Sequence, residues 1–201
     1  SGTSTITVNS FTLSSNAVLQ TPLPGSTDFG TATVTVNPGS KISDGILLAA
    51  TSGATVGLNT GLFLGSNIMV NKDVTVQGNG ATRDDVVIGP DVIDVYNNSQ
   101  FGGAYRHGFI IESSGVTITK LTVNGHANPA YPTGYNFRGG ISASLSGGVF
   151  NNITVNDVAV KYIGRRGIQV YTPTGSTGLA ITNNLVDEVD ASASGTGIAV
   201  F

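Results

Sequence analysis

A chain of 201 residues that is 39% hydrophobic can bury a core, and its length suits one domain or part of an elongated one. Charged residues make up only 10% and the formal net charge is -3, which supplies no concentrated positive field for nucleic acid. With no Cys there is no disulfide framework or thiolate metal site, and no apolar run reaches the roughly 18 residues of a membrane-spanning helix.

Residues 1–30 contain "STITVNSF" and "AVLQTPLP", which read as N-terminal strands or a Pro-broken linker. The uncharged, Ser- and Thr-rich opening has the look of an exported mature end, so the expected location is extracellular or at the cell surface. Over 38–50, "PGSKISDGILLAA" predicts a short helix with Ser40 as its cap. Asp44 favours the N-terminal dipole, and Ile42, Ile46 and Ala49 or Ala50 share a face. Gly45 lowers the helix propensity.

Two phrases then repeat. The first is a Gly followed by a short strand: "HGFIIES" from 107, "GGISAS" from 139, "RGIQVY" from 166 and "TGIAVF" from 196. The second is a pair of period-2 strands around a polar corner: "NIMVNKDVTVQG", "GVTITKLTVNG", "NNITVNDVAV" and "GLAITNNLVDEV". Val116, Ile118, Leu121 and Val123 map onto Ile153, Val155, Val158 and Val160. Units of about 30 residues, none able to bury its apolar face alone, call for stacking in a solenoid. Asn-Gly hairpins with an immediate return strand are scarce, which disfavours a sandwich. The expected fold is all-β, with parallel coils about 4.8 Å apart, columns of Val, Ile and Leu, and side-chain ladders of Asn.

The run 32–88 leads from a strand through the helix to "GATVGLNTGLFLG" and "VTVQGNG". It resembles the first coils of right-handed parallel β-helix proteins of the pectin-lyase-like superfamily, and the later coils are similar to alginate-epimerase-like and NosD-like surface repeats. The resemblance covers 31–201. It implies a β-helix over that range, with the helix near 40–50 as N-terminal cap and with the coils continuing or capped beyond 201. That superfamily includes lyases, hydrolases, esterases, epimerases, adhesins and tailspikes, so the fold does not select an activity. No epimerase-like "DPH" is present, and Gly65 stands in "GLFLGSN" where esterases place a Glu.

Arg106 and His107, Arg138, and Arg165 with Arg166 each precede a repeated Gly-strand. Stacked in register, Arg106, Arg138 and Arg166 would form a column of cations suited to a uronate-bearing polysaccharide, because guanidinium pairs bidentately with carboxylate. The alternative is pairing with nearby Asp or with solvent. Two loops, 89–107 and 125–139, carry Tyr96, Phe101, Tyr105, Tyr131, Tyr135 and Phe137. These rings either bind sugar faces or pack the loops onto the coil wall. The ligand-binding set is therefore Arg106, Arg138, Arg166, Tyr105, Tyr131, Tyr135 and Phe137.

The expected function is an extracellular surface or structural module that binds acidic polysaccharide or a cell-surface glycan. One alternative is a lyase or epimerase acting on uronates. It would draw its cation and base from His107, Lys161, Tyr162, Arg165 and Arg166, with His126 and Arg138 nearby. Another is a fibre subunit that self-associates end to end through open coil ends, or a part of a larger parent chain. No cofactor is expected. Calcium is the candidate ion, at Asp84, Asp85 and Asp91 or at Asp187, Glu188 and Asp190. The acid pair of a hydrolase would come from Asp91 and Asp94 or from the second of those acidic clusters.

Overall fold

The computed structural model describes residues 10–13, 32–92, 106–144, 147–190 and 195–201. The chain runs through β1 (Ser10–Leu13), β2 (Thr33–Val36), helix α1 (Ile42–Leu48), β3 (Ser52–Leu58), β4 (Gly61–Leu64) and β5 (Ile68–Val70). It continues with β6 (Asp73–Gly78), a 3-10 turn at Arg83–Asp85, β7 (Val86–Gly89), β8 (His107–Ile111), β9 (Thr117–Asn124) and β10 (Phe137–Ala143). The last strands are β11 (Thr154–Val170), β12 (Ala180–Thr182), β13 (Leu185–Val189) and β14 (Thr196–Val200).

Among the described residues every strand pair is parallel, and the strands form one curled, solenoid-like sheet. The pairing divides into three rows. The first runs β1, β2, β3, β6, β9, β11, β12; the second β4, β7, β9, β11, β13; the third β5, β8, β10, β11, β14. Register aligns Val34, Val56, Val76, Ile118 and Val155 in the first row. It aligns Phe63, Ile88, Val123 and Val160 in the second, and Ile68, Phe109, Ile141 and Ile168 in the third. All of these side chains are buried in one apolar core, each contributing about 1.5–3 kcal/mol of burial. The mapping of the "GVTITKLTVNG" phrase onto "NNITVNDVAV" is the observed register.

Five of the polar corners turn on a single left-handed residue. Lys120, Asp157 and Asn183 occupy equivalent places between the first and second rows, with φ of 56°, 54° and 55°. Tyr162 and Glu188 do the same between the second and third. Such a residue lets the strand turn without a loop, which is how β9 and β11 pass from row to row unbroken. The expected Asn ladder is present at the first coils: Asn59 Nδ2 donates to Asn37 Oδ1 at 2.7 Å, and Asn79 Nδ2 to Asn59 Oδ1 at 3.1 Å.

The repeated glycines have a steric cause. A Cβ at Gly140 would lie 2.3 Å from Val160 Cγ1 and 2.6 Å from the Gly167 carbonyl; at Gly167 it would lie 2.3 Å from Val186 Cγ1. The third row thus approaches the Val column of the second too closely for any side chain.

Helix α1 is shorter than expected, and Lys41, not Ser40, holds its N-cap, with no side-chain cap bond. Ser40 is buried and its N–H donates to the Asn37 carbonyl instead. Ile42, Ile46 and Leu48 are buried, and α1 packs on β2, β3 and β5. Gly45 is what permits that contact, since a Cβ there would meet Val36 at 2.5 Å. Lys72 Nζ donates to the carbonyls of Leu47 and Ala49, satisfying the helix end. Among the described residues no helix is long and apolar enough to cross a membrane.

Candidate functional site

The side of the third row that turns away from the Phe109–Ile141–Ile168 column carries three files of residues. One is His107, Gly139, Arg166 and Thr196; the next is Ile110, Ser142, Gln169 and Ala199. The last comprises Glu112, Ser144, Tyr171 and Phe201, joined by the ladder bonds that follow each strand.

The arginines do not make one column. The Arg138 and Gly139 N–H groups both donate to the Arg106 carbonyl, so Arg106 and Arg138 adjoin through the backbone. Between Phe137 and Gly139 the register shifts, and one residue opposes two of β11, Gly164 and Arg165. Past this bulge Arg166 lies level with Gly139 and His107 rather than with Arg138.

Arg166 is held in place. Its Nη1 donates to Gln169 Oε1 at 2.9 Å and to Tyr171 Oη at 3.2 Å, and its guanidinium carbon stands 4.6 Å from the centre of the Phe201 ring. Tyr171 and Phe201 are stacked, with centroids 5.0 Å apart. Among the described residues no protein atom accepts from Nε or Nη2 of Arg166. The result is a fixed cation on an aromatic floor with donors left over. Beside it lies a cavity of about 400 Å³ lined by Ser144, Gly147, Tyr171, Thr172, Pro173, Thr174 and Phe201. Ser144 Oγ is buried there without a hydrogen-bond partner among the described residues.

His107 is a buried residue. Its Nδ1 lies 2.7 Å from Ser142 Oγ, and its backbone N–H donates to Asn67 Oδ1. A Cβ at Gly139 would come within 2.2 Å of the imidazole, so that glycine makes its seat. Burial, with a smaller contribution from Arg138, pushes its pKa down to about 4. The ring is therefore neutral at pH 7.

The other expected residues have separate surroundings. Lys161 Nζ lies 3.4 Å from Asp84 Oδ1. Tyr162 stacks under His126 at 3.9 Å, and Tyr135 meets His126 at 6.3 Å. Asn136 ties the 125–136 loop by donating to the carbonyls of Gly125, Tyr131 and Thr133. Tyr131 and Tyr135 are half-buried in that loop. Phe137, expected to face a ligand, is fully buried in the core: it opens β10, where the inward column needs an apolar residue. Arg165 and Arg138 are partnered and face each other within the bulge. His107, Lys161, Tyr162 and Arg166 thus do not converge on a single reacting point. Tyr105, Tyr96, Phe101 and Asp94 lie outside the described residues.

The calcium candidates are also dispersed. The Thr122 hydroxyl donates to Asp84, holding its carboxyl below the usual range, with Lys161 and Arg83 assisting. Asp85 closes a capping box with Thr82, whose backbone N–H keeps its carboxyl low as well. Asp91 lines a different cavity with Lys41, Ser43 and Asn67. Asp187 accepts from the Glu188 N–H, and the Asp190 N–H donates to the Ile163 carbonyl. Among the described residues no three His, Asp or Glu side chains are grouped to hold a metal.

Gln169, Tyr171, Phe201, Ser142 and Ser144 were not singled out from the sequence. The signal was present: Ser144, Tyr171 and Phe201 are the last letters of "GGISAS", "RGIQVY" and "TGIAVF". No family model, curated protein or solved structure matches the chain.

Proposed function

We propose that this chain is a right-handed parallel β-helix of the pectin-lyase-like kind and serves as an extracellular surface module that binds acidic polysaccharide. The parallel rows, the one-residue left-handed corners and the Asn ladder support the fold. The observation that carries the binding role is Arg166, fixed by Gln169 and Tyr171 over the Phe201 ring with donors unspent. A uronate ring laid on Tyr171 and Phe201 would meet the guanidinium with its carboxylate, and its hydroxyls would meet Thr172, Thr174 and Ser144. The sugar supplies hydroxyls to the orphaned Ser144 and charge to the arginine.

Retention on immobilised polygalacturonate tests it. Arg166→Ala is expected to weaken binding by about tenfold or more, the worth of one charge-assisted hydrogen bond. Arg166→Lys should recover part of the loss, because the charge returns without the planar fork. Retention should fall with added salt. Elution of Arg166→Ala at the wild-type position overturns the reading.

A further inference from the structure

A second groove crosses the corner between the first and second rows, on a different side of the molecule from Arg166. Gln77, Thr119 and Asn156 stand in one register file, and Lys120 and Asp157 follow them at the left-handed corner. With Gly78 and Asn79 these residues line a cavity of about 520 Å³, inside the range of roughly 300–1,000 Å³ that small ligands occupy. It spans three consecutive coils, about 10 Å at the strand spacing.

Its polar groups divide into engaged and unengaged. Asp157 pairs with Arg83 at 3.4 Å. Asn156 Oδ1 accepts from Thr182 and Asn183 and its Nδ2 donates to Thr119 Oγ1 at 3.5 Å, and Asn79 donates to Asn59. The Gln77 amide and the Lys120 ammonium have no protein partner among the described residues. The carboxylate stacked next to Lys120 is thus committed elsewhere, and the groove keeps one uncompensated cation beside one unfilled amide.

Lys120 is also the odd residue at its position. The equivalent corners are Asp157 and Asn183, the types that tolerate a left-handed backbone, whereas most L-residues lose about 1 kcal/mol or more there. A lysine at that corner costs stability, as Tyr162 and Glu188 do at the next corner, and it supplies a charge to the groove.

We infer that the Gln77–Lys120–Asn156 groove is a second saccharide site that takes a uronate, its carboxylate on Lys120 and its ring hydroxyls on the Gln77 amide. The amide offers donor and acceptor together, which suits vicinal hydroxyls, and the ammonium suits the carboxylate. The ligand class is that proposed for Arg166, but the residues are not shared, so the two sites stand or fall separately.

The test is a titration of the nitrogen-15-labelled full chain with trigalacturonate at low salt, followed by amide NMR. The side-chain amide of Gln77 and the backbone amide of Lys120 are expected to shift, and Lys120→Asn is expected to weaken that response about tenfold. Asparagine suits the left-handed corner, so this variant should melt no lower than wild type, and its loss cannot come from unfolding. Arg166→Ala should leave the groove signals intact even if it abolishes column retention. Three results would each overturn the inference: no movement of these amides at millimolar trigalacturonate, an equal response to neutral maltotriose, or an unchanged response in Lys120→Asn.

Discussion

Gly78→Ala is expected to destabilise the chain by about 1–3 kcal/mol or more, the cost of forcing extra volume into a packed interior. The added Cβ would lie 2.0 Å from the Lys120 carbonyl oxygen and 3.1 Å from Val86 Cγ2. Backbone cannot swing aside as a side chain can, and the carbonyl belongs to the corner that joins the first row to the second. The same approach recurs one corner on, where the Tyr162 carbonyl comes within 2.1 Å of a Cβ at Gly125. Gly65→Ala is the control, because its Cβ would meet only Ile68 side-chain atoms, at 3.4 and 3.5 Å. Urea melts of the two variants should differ clearly; equal midpoints would show that the coils slide to accommodate the methyl group.

Acid should weaken the fold through His107. Its folded-state pKa of about 4 lies below the ordinary 6.5, so between these values the unfolded chain binds more proton than the folded one. The stability is whole above pH 6.5 and falls as the pH drops towards 4, by about 3 kcal/mol at most. The new charge would sit buried, with the positive Arg138 nearby. Urea midpoints of wild type and His107→Asn across pH 7 to 4 measure it. The wild-type midpoint should fall more steeply over this window, and parallel curves would mean that His107 titrates without cost.

The rows were legible in the sequence because an inward-facing position must be apolar in every coil. Val116, Ile118, Leu121 and Val123 therefore recur at fixed offsets 37 residues later. The Gly file was legible for the opposite reason, since a close approach excludes every side chain at that level. The arginine register was legible as well: the phrases that begin at His107, Gly139, Arg166 and Thr196 set Arg166 level with Gly139, one place off Arg138, and the expected Arg106–Arg138–Arg166 column ignores that offset. The Arg166 platform was hidden by distance: Tyr171 and Phe201 become neighbours only after one full coil. Loop paths carry no period at all, so the reach of Arg83 to Asp157 and to the Asn183 carbonyl left no trace in the pattern. For Phe137 composition misled, since a ring at the end of a polar loop reads as exposed although it begins a strand.

Strand β11 pairs with β9 and β10 on one flank and with β12, β13 and β14 on the other. Its amide protons are therefore trapped from both sides in all three rows, whereas among the described residues β12, β13 and β14 are bonded on one flank alone. The same holds for β1, β4 and β5 at the other ends of the rows, so deuterium should enter these six strands before β11, and opening should proceed as a graded fraying along the axis instead of a single event.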